Sequence, residues 1–300
     1  MTPARPATRG LAAATAAFGI WGLFPVYLHP LSGVPALQVI AHRVTWACLF
    51  IFGWLLLRGE LGTLSALTNA RLVARLTLTA ALISANWLVY VWSVTHAHIV
   101  DTSLGYYINP LVNVVLGVFV LHERLNRAQW TAVALAAIGV AYLTALAGRP
   151  PWIAAALALS FSLYGLQRKV ISVDALPGLA IETLLLLPLA VGYLAWCRAA
   201  GGAALTLEHP GIAALLIGSG LVTAIPLFLF AYGARALPYS TLGVLQYIAP
   251  SLQLLCGVLL YHESFRPALA AGFALIWVAL LIYAADGLWR ARNAPRALRA

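Results

Sequence analysis

Three ionisable side chains interrupt apolar runs that are long enough to be membrane-spanning segments. Arg43 lies about six residues inside one run, His42 precedes it, and Glu182 lies in a later run. A charged group in a span costs about 3 kcal/mol unless it is paired or meets water, so each is a candidate binding residue. Arg43 could hold an anion or carboxylate, and Glu182 could bind a cation or a proton. The alternatives are an Arg43–Glu182 ion pair, an arginine that reaches a lipid headgroup, and a packing role for His42.

Side-chain amides and aromatic rings form a second group of candidates. Asn109 and Asn113 are four residues apart and therefore share a helix face. Amides bind polar substrate groups at a lower desolvation cost than charges, although they also join neighbouring helices. The predicted cavity residues of this kind are Asn86, Trp87, Tyr107, Asn109, Asn113, Gln246, Tyr247 and Gln253. Pro110 and Pro250 are predicted hinges, because proline removes a backbone hydrogen bond and kinks a helix.

No residue pattern indicates a metal site, a cofactor or an enzyme. The His-Glu pairs at 122–123 and 262–263 resemble the start of a zinc-binding HExxH motif. The second His is replaced by Asn126 in one and by Arg266 in the other. The three cysteines are far apart without CxxC spacing, and there is no phosphate-binding P-loop. The sequence therefore predicts no cofactor and no catalysis, with an intramembrane enzyme or lipid-handling protein as the alternative.

One segment of the chain occurs twice. Residues 107–123 recur 140 residues later as residues 247–263, with seven identities in seventeen positions. The same offset relates His42 to Glu182. An internal repeat determines the architecture of a chain. When an odd number of apolar segments separates the two copies, the second copy has the opposite orientation in the membrane. An inverted repeat is therefore expected.

Composition places the repeat in a membrane. The chain is 63% hydrophobic and 9% charged, with a mean hydropathy of +0.92, which is too apolar for a soluble monomer of 300 residues. A spanning helix needs about 20 apolar residues. Ten spans are predicted, at residues 10–29, 37–57, 72–95, 102–121, 129–147, 152–167, 177–197, 211–234, 240–261 and 268–288. Residues 10–147 and 152–288 then form two five-helix repeats, followed by a basic tail at 289–300.

The basic residues predict the orientation. The 18 Lys and Arg are scattered between apolar runs without a basic stripe, so no nucleic-acid partner is expected. If the N-terminus is cytoplasmic, three of them lie outside, namely Arg149, Arg198 and Arg266. Fourteen lie inside, namely Arg5, Arg9, Arg58, Arg71, Arg75, Arg124, Arg127, Arg168, Lys169, Arg235, Arg290, Arg292, Arg296 and Arg299. This positive-inside pattern predicts a bacterial plasma (inner) membrane protein with both termini in the cytoplasm.

Several stretches resemble a known family. The repeated segment ends in Glu and precedes an Ala/Gly-rich span, which is similar to the EamA repeat of the drug/metabolite transporter superfamily. The stretches similar to its RarD family are HRVTW (42–46), NW (86–87), SLGYYINPLVNVVLG (103–117), IET (181–183), STLGVLQYIAP (240–250) and IWVAL (276–280). The likeness runs from about residue 10 to 286 and implies a ten-helix inner-membrane permease. RarD proteins are commonly labelled chloramphenicol permeases. Where the family has Gly-Glu after the fourth span, this chain has His122-Glu123.

These features predict an all-α membrane protein of ten helices in two inverted five-helix EamA repeats. We expect a secondary transporter that moves a small organic metabolite or drug, chloramphenicol-like compounds included, by alternating access. Arg43, Glu182, Asn109, Asn113 and Gln246 are expected to face a cavity between the halves. Glu182 is a candidate for proton coupling.

Overall fold

The computed structural model describes residues 6–95, 99–147, 152–206, 208–261 and 267–293. Within these ranges the regular structure is helical and contains no strand. The helices are α1 Pro6–Gly22, α2 Phe24–Leu28, α3 Ala36–Leu57, α4 Ala70–Thr95, α5 Ile99–Phe119, α6 Arg127–Ala147, α7 Trp152–Val170, α8 Ala175–Ala199, α9 Pro210–Ala236, α10 Tyr239–Leu245, α11 Ile248–Leu255 and α12 Pro267–Asn293. Several residues of the sequence predictions lie outside the described ranges, namely Arg5, Arg149, the His-Glu pair at 262–263, Arg266 and residues 294–300.

Seven helices of the described part are long and apolar enough to cross a membrane. They are α3, α4, α6, α8, α9, the Tyr239–Leu260 segment that contains α10 and α11, and α12. The α1–α2 pair, bent by 43°, makes an eighth if it is one span. The bend falls where Pro25, in the first turn of α2, has no N–H to continue the hydrogen bonds of α1. The protein is thus an all-helical, multi-pass membrane protein, and the number of ten spans stays a prediction.

The two copies of the repeated segment differ in backbone structure. The first copy lies in α5, which continues through Pro110 to Phe119. In the second copy, the helix is interrupted at Gln246 and Tyr247, and α11 begins just before Pro250. A proline in the first turn of a helix loses no hydrogen bond, so Pro250 is accommodated by a new helix start. The backbone at the interruption keeps helical angles, and the segment still runs as one span.

Three connections meet at one end of the bundle, which we call the sealed end. The Glu123 carboxylate, between α5 and α6, accepts a hydrogen bond from the backbone N–H of Ser240 at 2.9 Å, at the start of α10. Arg235 at the end of α9 donates to Asp174, between α7 and α8, at 2.6 Å. These contacts join the α5–α6 connection to the start of α10, and the end of α9 to the α7–α8 connection.

At the opposite end, the start of α3 is fixed to the chain that follows α8. The Gln38 amide donates to the Gly202 carbonyl at 2.7 Å and accepts from the Ala204 N–H at 2.8 Å. Helices α3 and α8 pack together and are therefore antiparallel. Helix α9 approaches α3 so closely at Gly220 that a Cβ there would lie 2.5 Å from the Trp46 backbone.

Two buried apolar cores hold the bundle together. The larger core joins α1, α3, α7 and α9, with Phe18, Tyr164 and Phe230 at its centre. The second joins α5, α6 and α12 with α10, and contains Tyr107 and Tyr247. Because the membrane solvates the outer apolar faces, helix association here depends on close packing and interhelical hydrogen bonds.

Candidate functional site

A cavity of about 310 Å³ lies between the two cores, toward the end opposite the sealed end. Its wall is mostly apolar and includes seven aromatic residues, four amides and one charged side chain. The lining residues are Phe18, Trp21, Phe24, Pro25, Leu28, Arg43, Ile83, Asn86, Trp87, Tyr90, Tyr106, Asn109, Phe161, Leu227, Gln246, Ala249, Pro250 and Gln253. A mainly apolar wall with a few fixed polar groups is the usual form of a small-molecule site.

Arg43 supplies the charge in this cavity. Its Nε donates to the Thr223 hydroxyl at 2.8 Å, which connects α3 to α9. Its guanidinium carbon lies 4.9 Å from the centre of the Phe24 ring and 5.0 Å from that of Trp87. Such cation–π contacts stabilise a cation by about 1–2 kcal/mol when water is excluded. In the described part of the chain, no carboxylate lies within ion-pair distance of Arg43.

The two terminal nitrogens of Arg43 are accessible from the cavity. Among the described residues, neither has a hydrogen-bond partner, and neither is a buried unsatisfied atom. The Nε contact and the two rings fix the guanidinium plane, so the paired N–H groups form a directed fork. Such a fork matches the two oxygens of a carboxylate.

The four amides use one end to join helices. Asn86 donates to the Leu157 carbonyl at 2.9 Å, and Gln253 donates to the Trp21 carbonyl at 3.0 Å. The oxygen of Asn109 accepts from the Ser162 hydroxyl, and that of Gln246 accepts from Asn113 at 2.7 Å.

The other ends of these amides are free for a ligand. They comprise the oxygens of Asn86 and Gln253 and the nitrogens of Asn109 and Gln246. In the ranges that the structure covers, they have no partner and are not buried unsatisfied atoms. Interhelical bonding therefore uses only one end of each of these side chains, and substrate contact through the other end stays a prediction.

Glu182 does not line the cavity, which corrects that expectation, and the alternative of an ion pair with Arg43 is not found. Its carboxylate lies 3.6 Å from the Arg168 guanidinium and accepts from the hydroxyls of Thr79 at 2.6 Å and Tyr164 at 3.4 Å. Both members of this pair are almost fully buried, with side-chain exposures of 1% and 3%.

Helix direction explains the error. Arg43 is the eighth residue of α3 and Glu182 the eighth of α8, but these helices are antiparallel. Cys48 of α3 lies beside Thr183 of α8, so Arg43 and Glu182 are separated by about 9 Å along the helix axes, by helix rise. Glu182 belongs to the half of α8 nearer the sealed end.

Five other predicted residues do not line the cavity. His42 is buried on another face of α3, and its Nδ1 has no hydrogen-bond partner among the residues that the structure describes. Asn113 contributes indirectly by holding Gln246. Tyr107 and Tyr247 stack with ring centres 6.4 Å apart, and the Tyr107 hydroxyl donates to the Pro250 carbonyl at 3.3 Å. Pro110 borders this core rather than the cavity.

Sequence reasoning missed Phe24, Tyr106, Phe161 and Thr223. The sequence signal that could have identified Tyr106 was the difference in residue type between equivalent positions of the two copies. Tyr106 corresponds to Gln246 and Asn109 to Ala249 at the 140-residue offset, and all four line the cavity. The identical pair Tyr107 and Tyr247 forms the core instead. Phe24, Phe161 and Thr223 carried no distinguishing signal in a chain so rich in apolar residues.

Comparison with known proteins agrees with a membrane transporter. The EamA-like transporter family model matches residues 8–145. Protein RarD of Streptomyces exfoliatus is 44% identical over 97% of this chain and 93% of that protein. An uncharacterized transporter of Vibrio cholerae is 44% identical over 99% of each. The Chloramphenicol-sensitive protein RarD of Pseudomonas aeruginosa is 33% identical over 96% of this chain and 97% of that protein.

The fold is also found in a solved structure. A crystal structure of a protein with 21% sequence identity superposes with a TM-score of 0.70, covering 91% of this chain and 96% of that one. Fold and cavity thus define a multi-pass membrane protein of the transporter class. With relatives at 44% identity over almost the whole length, the chain belongs to the RarD family of EamA-like transporters.

Proposed function

We propose that this protein is a secondary transporter that carries a small organic molecule across the bacterial inner membrane by alternating access. The observation that carries the proposal is the cavity of about 310 Å³, to which α1–α5 and α7, α9 and α11 all contribute. Substrate sites of secondary transporters lie between two repeats in this manner. The free fork of Arg43 and the free amide ends are the polar groups that a substrate would meet.

The proposed architecture is ten spans in two inverted repeats, at 10–147 and 152–288. The α1–α2 pair, α5 and α7 would supply three spans beyond the seven long helices. In support, α5 and α7 pack against each other inside the bundle. Elements related by the 140-residue offset also pack against each other, namely α3 with α8, α5 with α10 and α6 with α12. Contact between equivalent elements is expected around a pseudo-two-fold axis.

We propose that the sealed end is cytoplasmic, with both termini on that side. Arg124, Arg127, Lys169 and Arg235 lie at or beside the connections that form this end. Positive residues are enriched on the cytoplasmic side of membrane proteins. The conformation would then be outward-facing, with the cavity toward the periplasmic side.

Proton coupling through Glu182 is a further part of the proposal. Glu182 is outside the cavity, so a proton there would act on conformation and not on substrate directly. Protonation would remove the charge that compensates Arg168 and would weaken the contact between α7 and α8. We expect Glu182→Gln to make transport independent of the pH gradient. Transport by Glu182→Gln that still follows the gradient would contradict this role.

Transport is tested with the purified protein in liposomes. Labelled chloramphenicol and a panel of organic metabolites are followed across the membrane, with their chemical identity checked afterwards. We expect accumulation that stops in Asn109→Ala and Arg43→Ala, with membrane insertion intact. Arg58→Ala is the control, because Arg58 is exposed and pairs with Glu60 away from the cavity. Unchanged transport in both cavity variants, or no transport of any compound, would refute the proposed function.

A further inference from the structure

The cavity also indicates what kind of molecule it binds. We propose that the ligand is an organic anion, with a carboxylate held by the Arg43 fork and an aromatic body held by the cavity wall. This inference rests on the proposed transport function and adds the substrate class.

The first argument is charge balance. An arginine in a low-dielectric site is costly unless an anion compensates it. Arg168 has such compensation, because Glu182 lies 3.6 Å away. Arg43 has only the Thr223 hydroxyl and two ring faces, and no carboxylate of the described residues is in reach. The missing anion is therefore supplied by the ligand.

The second argument is geometry. Thr223 occupies Nε, so the two terminal nitrogens of Arg43 can donate in parallel to one carboxylate. Tyr90 and Tyr106 lie near enough to interact electrostatically with Arg43, and both line the cavity. In the part of the chain that is described, neither hydroxyl has a hydrogen-bond partner. These hydroxyls and the free amide nitrogen of Asn109 add donors for an anion.

The third argument is the aromatic wall. Trp21 and Phe161 meet edge to face with ring centres 5.7 Å apart, and Phe18 lies 5.8 Å from Trp21. Aromatic ligands favour such offset and edge-to-face contacts. The cavity volume of about 310 Å³ is roughly twice the ~150 Å³ void that holds benzene. One or two rings with a short carboxylate arm therefore fit.

The test uses a matched pair of probes, 3-(4-nitrophenyl)propanoate and its neutral amide, 3-(4-nitrophenyl)propanamide. The nitrophenyl group quenches tryptophan emission, and Trp21 and Trp87 line the cavity. Binding is followed by this quenching and by the rise in melting temperature. Because hydrogen bonds to charged groups are the stronger ones, we expect the propanoate to bind at least about tenfold more tightly than the amide.

Variants assign this preference to Arg43. Arg43→Gln is expected to bind both probes alike, and Arg43→Lys to retain part of the preference because the charge remains. Arg58→Gln is the matched control, since Arg58 also contacts a tryptophan ring, Trp54, but lies on the surface. Arg58→Gln should keep the full preference for the propanoate over the amide.

Several outcomes would overturn the inference. They are equal binding of the two probes by the unaltered protein, a preference that survives Arg43→Gln, no binding of the propanoate, and equal stabilisation by phosphate alone. The first comparison needs no variant, so it holds even if Arg43→Gln does not fold. If chloramphenicol, which is neutral, is transported while the propanoate does not bind, the substrate class fails and the transport function stands. If no compound crosses the membrane, the transport function itself fails.

Discussion

Helices α3 and α8 carry their polar residues at corresponding places but use them in opposite ways. In α3, Arg43 borders a cavity, with two ring faces and one hydroxyl as its contacts. In α8, Glu182 is enclosed by Arg168, Thr79 and Tyr164. The α3 region contains a charge that lacks a counter-ion among the described residues and borders a cavity. The α8 region contains an ion pair that is enclosed by packed side chains.

The difference teaches that burial alone does not identify a binding residue. Both regions are low-dielectric, yet Arg168 and Glu182 compensate each other's charge where α7, α8 and α4 pack together. Arg43 keeps two terminal nitrogens that have no partner among the described residues. We therefore assign stability to the α8 region and recognition to the α3 region, and three of the four predictions below test this division.

The largest effect is expected at the enclosed pair. Glu182→Ala leaves Arg168 buried without a counter-charge and should lower the free energy of unfolding by about 3–5 kcal/mol. Denaturation in mixed detergent micelles measures it. Replacing both residues at once, with Glu182→Leu and Arg168→Met, should cost clearly less. A loss below about 1 kcal/mol in Glu182→Ala would contradict a structural role.

The next effect concerns the glycine that makes room for Arg168. A Cβ at Gly178 would overlap the Arg168 Nη1, so Gly178→Ala must displace the guanidinium. We expect a loss of about 1–3 kcal/mol, as for other overpacked sites. Gly192 lies on the same helix, and a Cβ there would have no other atom within 4 Å, so Gly192→Ala serves as the control. Equal free energies of unfolding for Gly178→Ala and Gly192→Ala would show that the Arg168–Glu182 pair tolerates displacement of the guanidinium.

A smaller effect is expected at the sealed end. His122 has a φ of 55°, in the left-handed region that glycine adopts without strain. His122→Gly should raise the free energy of unfolding by about 1 kcal/mol. The reverse change at Gly59, whose φ is 65° and whose surroundings are open, should lower it by a similar amount. A lower free energy of unfolding in His122→Gly would mean that contacts of the imidazole stabilise the protein by more than the strained backbone destabilises it.

The smallest effect on stability is expected at Arg43 itself. Arg43→Gln should change the free energy of unfolding by less than about 1 kcal/mol, because removing this charge leaves no buried partner unpaired. Arg168→Gln, in contrast, should cost several times as much. The same denaturation experiment compares the two. Similar losses in both would place Arg43 with the structural residues and remove the distinction between α3 and α8.

Parts of the site could be predicted from the sequence. The sequence predicts Arg43, Asn86, Trp87, Asn109, Gln246 and Gln253 as cavity residues, and these six line the cavity. The prediction is possible because a polar group in an apolar run is costly unless it has a partner or meets water. The same rule selected Glu182, His42 and Asn113, which turn inward to other contacts. Sequence spacing gives the helix face but not which neighbouring helix that face meets.

The sequence by itself determined the class of the molecule and its duplication. A mean hydropathy of +0.92 requires a membrane, and the 140-residue offset indicates two copies of one unit. These properties depend only on composition and on the residues that the two copies share.

Only the tertiary structure decided which polar residues work together. It joined Glu182 to Arg168 and not to Arg43, because antiparallel packing puts corresponding residues of α3 and α8 at different levels of the bundle. It also gathered Phe24, Tyr106 and Phe161 around Arg43 from three separate helices. A cavity is the space that packing leaves unfilled, and its walls come from residues far apart in the chain. No local pattern encodes that space.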